Sequence, residues 1–275
     1  LLYRLKLTRR KEAPKKGKVP IFDKLHDIKA GTPVGGGILV ILGTVLLFSI
    51  LYPLASRLGV FIQTAYHPGY EIFVILFTFL SFGLLGFTDD IVKIFGKGQT
   101  GNGPLGIAYG LTRKQKFIAQ WVLAFFIGYV IYKNLGIQII HLPIVGMTLE
   151  LGWWYVPFSA LIIVSFTNAV NITDGLDGLV SGLLLICLTA FAIIAAGNLD
   201  TPLSLFISLW IGGLIAFLYF NVYPARIFLG DTGALAFGAM LAVIGLLTGS
   251  IVALIVIGGI FVVEIISSAI QIFGW

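Results

Sequence analysis

The sequence predicts an all-α fold, a polytopic bundle of about eight transmembrane helices, and three observations carry that prediction. Apolar residues fill 58% of its 275 positions and charged residues only 11%, whereas a soluble domain carries about 25% charged residues. So few charges cannot cover a water-facing surface, but lipid tails can solvate such a chain once helices satisfy the backbone. The apolar residues gather in runs about one bilayer long, and the Lys and Arg residues sort onto one side of the resulting topology.

Residues 1–33 are basic and polar and end in Ala30-Gly31-Thr32-Pro33. The predicted spans then follow at 34–56, 70–88, 117–132, 154–170, 178–197, 202–220, 228–247 and 250–273. Their many glycines suit helices that approach closely in lipid. There is no internal repeat, so residues 1–275 read as a single transmembrane domain. If the spans alternate in direction, 16 of the 18 Lys and Arg residues fall on the side of the N-terminal segment. Only Arg57 and Lys133 fall on the other. The basic side is predicted to face the cytoplasm. The net charge of +6 therefore belongs to membrane-flanking loops, and nucleic acid is excluded as a partner. The stretch from Arg9 to Lys18 suits an anchor on anionic lipid. Cys187 is the only cysteine, which excludes a disulfide framework and a cysteine metal cluster.

Asp89, Asp90, Asp174, Asp177 and Asp231 all fall at loop–helix junctions on the predicted cytoplasmic side. Carboxylates next to a membrane are costly and usually functional. Asp89 and Asp90, in Gly86-Phe87-Thr88-Asp89-Asp90-Ile91-Val92-Lys93, would point about 100° apart on a helix. One can then hold a metal while the other faces a reacting group; the plainer reading is a helix end re-entering water. In Asn168-Ala169-Val170-Asn171-Ile172-Thr173-Asp174-Gly175-Leu176-Asp177-Gly178, Asn171, Asp174 and Asp177 recur every third residue. They line one helix face or crowd a turn that opens the next helix. Either way the oxygens suit a hard cation such as Mg²⁺, although one of them can be a simple helix cap. Asp231 sits between glycines in Gly230-Asp231-Thr232-Gly233, where a ligand can approach the backbone; it too can be an N-cap. Arg226 in the preceding turn can meet a phosphate or serve as an ordinary positive-inside residue. Lys29-Ala30-Gly31-Thr32-Pro33-Val34-Gly35-Gly36-Gly37 is a basic, glycine-rich turn before a helix, which suits an anion. Together these features describe metal-assisted phosphoryl transfer between a soluble nucleotide and a lipid phosphate.

These motifs resemble those of the MraY family of phospho-N-acetylmuramoyl-pentapeptide transferases, within the polyprenyl-phosphate N-acetylhexosamine-1-phosphate transferases. The resemblance rests on Lys29–Gly36, Gly86–Lys93, Leu111–Lys116, Asn168–Gly178 and Asn221–Gly233, and it runs from about residue 20 to the end. The long asparagine–aspartate signature at 168–178 is its most specific part. The resemblance implies transfer of phospho-MurNAc-pentapeptide from UDP-MurNAc-pentapeptide to undecaprenyl phosphate, giving lipid I and UMP, with Mg²⁺ as cofactor. It implies that Asp89, Asp90 and Asp231 are catalytic, with Asp231 the Mg²⁺ ligand and Asp89 the contact to the lipid phosphate. Lys29, Thr32, Lys93, Asn171, Asp174, Asp177, Asn221 and Gln271 are implied in substrate binding. It further implies ten helices with the ninth broken, a homodimer, and a multi-pass protein of the bacterial inner membrane. Against that pattern, most of the first helix and a C-terminal triple-histidine motif would lie outside Leu1–Trp275, so the sequence reads as truncated. Two other functions fit less well. One is transfer of GlcNAc-1-phosphate to a polyprenyl phosphate. The other is proton-coupled secondary transport, which calls for acids at mid-membrane in several helices, whereas only Glu264 falls deep within a predicted span.

Overall fold

The computed structural model of the protein describes residues 31–95, 111–143 and 146–273. The helices are α1 (Gly36–Arg57), α2 (Pro68–Phe95), α3 (Arg113–Asn134), α4 (Tyr155–Thr173), α5 (Leu179–Gly197), α6 (Thr201–Asn221), α7 (Gly230–Leu247), α8 (Ile251–Ile257) and α9 (Gly259–Phe273). Seven are long and apolar enough to cross a membrane, and α8 with α9 makes an eighth crossing if the bent pair counts as one. That agrees with the predicted helical bundle of about eight spans. The last predicted run breaks at Gly258 and bends by 80°, a break that the hydropathy pattern does not show but that the resemblance implies for the ninth helix. A two-stranded antiparallel hairpin, β1 (Ile139–Leu142) with β2 (Met147–Glu150), joins α3 to a short 3₁₀ turn at Gly152–Trp154. The sequence predicts only a connection between the spans at 117–132 and 154–170 here.

Local chemistry explains several helix starts. Thr112 and Gln115 form a reciprocal capping box at α3, with Thr112 Oγ1 accepting from the Gln115 N–H at 3.2 Å and Gln115 Oε1 accepting from the Thr112 N–H at 3.1 Å. Two otherwise orphaned donors are thereby satisfied. Asp200 caps α6 by accepting from the Leu203 N–H at 3.1 Å, and Pro202 follows in the first turn, where its missing N–H costs nothing.

The central helix is α7. Every residue from Thr232 to Leu247 is buried, as expected of a helix that is apolar all round. It packs on α2, α4 and α1. Glycines set the spacing: a Cβ at Gly238 would lie 2.4 Å from the Phe166 carbonyl oxygen of α4, so that crossing depends on backbone-to-backbone contact. Phe79 of α2, Phe206 and Trp210 of α6, and Phe237 of α7 close the interior, with the Phe79–Trp210 and Trp210–Phe237 ring centroids each 5.1 Å apart. On α1, by contrast, Leu39, Leu42, Leu46 and Ile50 form an exposed stripe at helical spacing, the surface that lipid would solvate.

The bundle has two chemically different ends. At one, the Tyr66 hydroxyl donates to the Leu247 carbonyl at 2.8 Å and the Thr201 N–H to the Gln63 carbonyl at 2.8 Å. Glu71 is 0% exposed there and accepts from Thr64 Oγ1 at 2.5 Å. Glu71 belongs to the first turn of α2 and so lies at this end of the bundle, whereas Glu264 is half-buried within α9. At the other end, the turn before α1 is tied to the turn before α7. Phe228 N–H donates to Pro33 O at 2.9 Å, Gly36 N–H to Phe228 O at 2.9 Å and Gly37 N–H to Leu229 O at 3.0 Å. Asp89, Asp90, Asp174, Asp177 and Asp231 lie at this second end, and Asp200 at the first.

Candidate active site

The site grows from the last two turns of α2. The predicted span at 70–88 ends just before Asp89, but the helix continues to Phe95. Asp89, Asp90 and Lys93 are therefore held on a rigid helix and not on a loop. Lys93 is one turn beyond Asp89, and its ammonium reaches Asp89 Oδ2 at 3.0 Å, a favourable acid-then-base order near a helix C-terminus.

Asp231 comes from the first turn of α7 and meets the same group. Lys93 Nζ lies 2.8 Å from Asp231 Oδ2. Lys116, from the first turn of α3, reaches Asp89 Oδ2 at 3.1 Å and also pairs with Asp231 Oδ2. Asp89 Oδ1 additionally accepts from the Leu111 N–H at 2.9 Å. Two carboxylates from α2 and α7 thus converge, with two ammonium groups balancing their charge.

Asp90 behaves differently from its neighbour, because its side chain turns to the start of α7. Its Oδ1 accepts from the Asp231 N–H at 3.0 Å; its Oδ2 accepts from the Thr232 N–H at 2.9 Å and from Thr232 Oγ1 at 2.7 Å. Asp231 is not the N-cap that one reading of the sequence allowed. That position belongs to Leu229, which makes no side-chain capping bond, and Asp231 lies one residue inside the helix.

The asparagine–aspartate signature does not form one continuous helix face. Asn171 is half-buried in the last turn of α4, Asp174 is its C-cap residue, and Asp177 sits in the turn that closes at Gly178 with φ +76°. Asp177 Oδ2 accepts from the Ala225 N–H at 3.0 Å, which ties this turn to the one leading into α7. All three therefore lie at the aspartate end. Asn221, expected in the polar lining of a nucleotide pocket, is 4% exposed. Its Oδ1 accepts from the Gly178 N–H at 3.1 Å and from Ser181 Oγ at 3.2 Å, and its Nδ2 donates to the Ile227 carbonyl at 2.9 Å. These bonds make it a joint between α5, α6 and the turn before α7.

Thr32 lies half-buried in the turn before α1, and Lys29 falls outside the described residues. Gln271 is exposed on α9, where its amide donates to Ser267 Oγ at 3.3 Å; among the described residues it does not join the carboxylate cluster. Arg226 stacks over the Tyr219 and Phe220 rings, 5.3 and 5.1 Å from their centroids. The residue missed as a site member is Lys116, which enters the sequence reading only as the end of the Leu111–Lys116 motif. One signal pointed to it: a lysine in the first turn of a helix opposes the macrodipole and needs an acid from elsewhere in the fold.

Among the described residues, no three His, Cys, Asp or Glu side chains form a metal cage. The donor set nevertheless fits Mg²⁺, which is commonly held by one or two carboxylates together with water and substrate phosphates. Asp89 and Asp231 supply two such oxygens, and the cationic Lys93 and Lys116 already sit between them. Asp90 is less suited, because both of its oxygens are tied to backbone N–H groups and a hydroxyl at the start of α7, whereas Oδ2 of Asp89 and of Asp231 meets lysine ammonium groups, which a cation can displace.

Residues 72–249 match the model of glycosyl transferase family 4, so the match takes in α2 through α7 and the whole carboxylate cluster. A phospho-N-acetylmuramoyl-pentapeptide-transferase of Halalkalibacterium halodurans is 37% identical over 252 residues, covering 90% of this chain and 71% of the relative. Proteins of the same name are 36% identical over 250 residues in Bacillus subtilis, covering 90% of this chain and 71% of the relative, and 37% identical over 250 residues in Listeria monocytogenes, covering 91% and 71%. Neither the GlcNAc-1-phosphate reading nor the transporter reading gains support from these matches. The chain belongs to glycosyl transferase family 4 and, within it, to the phospho-N-acetylmuramoyl-pentapeptide-transferases.

Proposed function

We propose that the protein transfers phospho-MurNAc-pentapeptide from UDP-MurNAc-pentapeptide to undecaprenyl phosphate, yielding lipid I and UMP in peptidoglycan synthesis. The observation that carries this reading is the meeting of Asp89 and Asp231 with Lys93 and Lys116 at one end of a membrane bundle. A nonbridging oxygen of the lipid phosphate attacks the sugar-bearing phosphorus. The bond from that phosphorus to the bridging oxygen breaks, and the oxygen leaves with UMP. Such a transfer depends mainly on placement and on neutralising charge.

Asp231, with Asp89 beside it, would hold Mg²⁺. When bound, the ion supplies positive charge for the diphosphate and the departing UMP. Asp89 faces the lipid phosphate and orients it, or accepts its proton. Lys93 and Lys116 exchange carboxylate contacts for phosphate contacts when substrate enters. Asn171, Asp174 and Asp177 line the approach of the nucleotide sugar, with Lys29 and Thr32 on the glycine-rich turn. Gln271 would serve the sugar or peptide part of the pocket. The basic loops orient this end toward the cytoplasm, where UDP-linked donors are made, and the protein works as a homodimer in the bacterial inner membrane.

The test is UMP release by purified protein supplied with undecaprenyl phosphate, Mg²⁺ and either UDP-MurNAc-pentapeptide or UDP-GlcNAc. Turnover of the pentapeptide donor is expected. Turnover of UDP-GlcNAc alone would replace this reading with the GlcNAc-1-phosphate one. Proton-coupled uptake into liposomes without UMP release would replace it with transport.

A further inference from the structure

We infer that Asp90 is a positioning residue, which sets Asp231 by building the first turn of α7, and that it does not itself meet substrate. The inference rests on the proposed transfer only for its kinetic readout.

Asp90 and Asp89 are adjacent in sequence but project in different directions from α2. Both are buried, Asp89 2% and Asp90 7% exposed, but Asp89 joins the two lysines whereas Asp90 faces α7. A carboxylate offers about four acceptor sites. Three donors from Asp231 and Thr232 already use them, at 2.7–3.0 Å. The backbone closes in further: a Cβ added at Gly230 would lie 2.7 Å from Asp90 Oδ2. Asp89 also has three partners, but two of them are lysine side chains that can turn to a ligand; those of Asp90 all belong to the first turn of α7, and a phosphate or metal could replace them only by breaking that turn.

Its surroundings also show what Asp90 is needed for. A helix begins with four N–H groups that lack intrahelical partners, and α7 begins without a side-chain cap of its own. Asp90 supplies that cap from a neighbouring helix, with its negative charge at the positive end of the α7 dipole. The groups it holds are the Asp231 N–H itself and the residue that follows. Gly86, four residues before Asp90 and on the same stripe of α2, lets α7 come this close: a Cβ there would lie 2.2 Å from the Asp231 carbonyl oxygen. Gly86 and Asp90 together form a socket for the start of α7. The Asp231 carboxylate is delivered to Asp89, Lys93 and Lys116 because its backbone sits in that socket.

The experiment compares Asp90→Asn, Thr232→Val, their double variant and Asp89→Asn in the purified full protein, by steady-state kinetics and by amide hydrogen exchange at residues 231–233. Loss of an outer support of this kind typically costs about 10–100-fold in activity. Asp90→Asn is expected to lower kcat in that range while leaving KM for both substrates unchanged. Thr232→Val should reproduce part of the loss, and the double variant should be no slower than Asp90→Asn, because both changes break one linkage. Exchange at Asp231 and Thr232 should speed up in Asp90→Asn and stay slow in Asp89→Asn. The assignment is overturned if Thr232→Val keeps full kcat, if the two losses multiply, or if exchange in Asp90→Asn matches the wild type. Hydrogen exchange decides the matter even if the wild-type protein releases no UMP, an outcome that would count against the proposed reaction and not against this role.

Discussion

Substituting Gly86 by alanine tests how closely the chemistry depends on the α2–α7 contact. The new Cβ would fall 2.2 Å from the Asp231 carbonyl oxygen, 2.5 Å from its carbonyl carbon and 2.6 Å from Thr232 Cα. All three are backbone atoms, so no side chain can swing aside. Ordinary contact begins near 3.4 Å, so the start of α7 must retreat from α2 by about 1 Å. Overpacking of this kind costs about 1–3 kcal/mol of stability. A misplacement of about 1 Å at a reacting group costs roughly 100-fold in rate. The prediction is therefore a folded protein with a modestly lowered unfolding midpoint and a kcat about two orders of magnitude down. The assay is continuous UMP release together with thermal unfolding in detergent. Gly43→Ala is the control, since a Cβ at that α1 position meets nothing within 4 Å, and it should leave both readouts unchanged. If Gly86→Ala keeps kcat within about threefold of wild type, the claim that this contact sets the position of Asp231 is wrong.

Three further outcomes follow from the same geometry. Lys116→Met leaves Asp89 and Asp231 facing each other with Lys93 alone. Breaking a partly buried ion pair at this site should cost about 2 kcal/mol in the transition state, roughly 30-fold in kcat/KM; wild-type kinetics would mean that Lys116 is a bystander. Asn221→Ala strips partners from the Gly178 N–H and the Ile227 carbonyl, so a loss of about 2 kcal/mol in unfolding free energy is expected, and a raised donor KM with unchanged stability would restore it to the pocket lining. Asp200 gives a pH dependence at the opposite end of the bundle, because burial raises its carboxyl above the usual range against the opposing bonds from Glu71 and the Leu203 N–H. The folded state then binds this proton more tightly than the unfolded chain. Stability is highest below the unfolded value of about 3.9 and declines as pH rises toward the folded value. Unfolding midpoints should fall less steeply with pH in Asp200→Asn, which retains a capping oxygen; an identical slope would show that Asp200 does not contribute.

Composition and periodicity were enough to establish a helical membrane bundle, its approximate spans and the clustering of its aspartates at one end, because these follow from hydration and from the length of a helix that crosses lipid. The motifs likewise sufficed to place the chain in its family. They could not separate Asp89 from Asp90: neighbouring positions on a helix share a sequence context but face different partners, and only the packing of α7 against α2 gives one of them the lysines and the other a helix N-terminus. Lys116 and Asp231 are 115 residues apart, so no local pattern could pair them. Asn221 enters the substrate pocket by family resemblance alone, and only the folded chain shows that its amide also bonds the Gly178 N–H and the Ile227 carbonyl. Hydropathy did not show the break at Gly258, which only the family resemblance implied. The run from 250 to 273 is apolar throughout, and hydropathy records that a segment prefers lipid to water but not the direction in which it runs. Local residue chemistry determined which groups were present and on which side. Long-range packing decided which of them touch, because hydrogen bonds and ion pairs form over about 3 Å and only the folded chain brings distant residues that close.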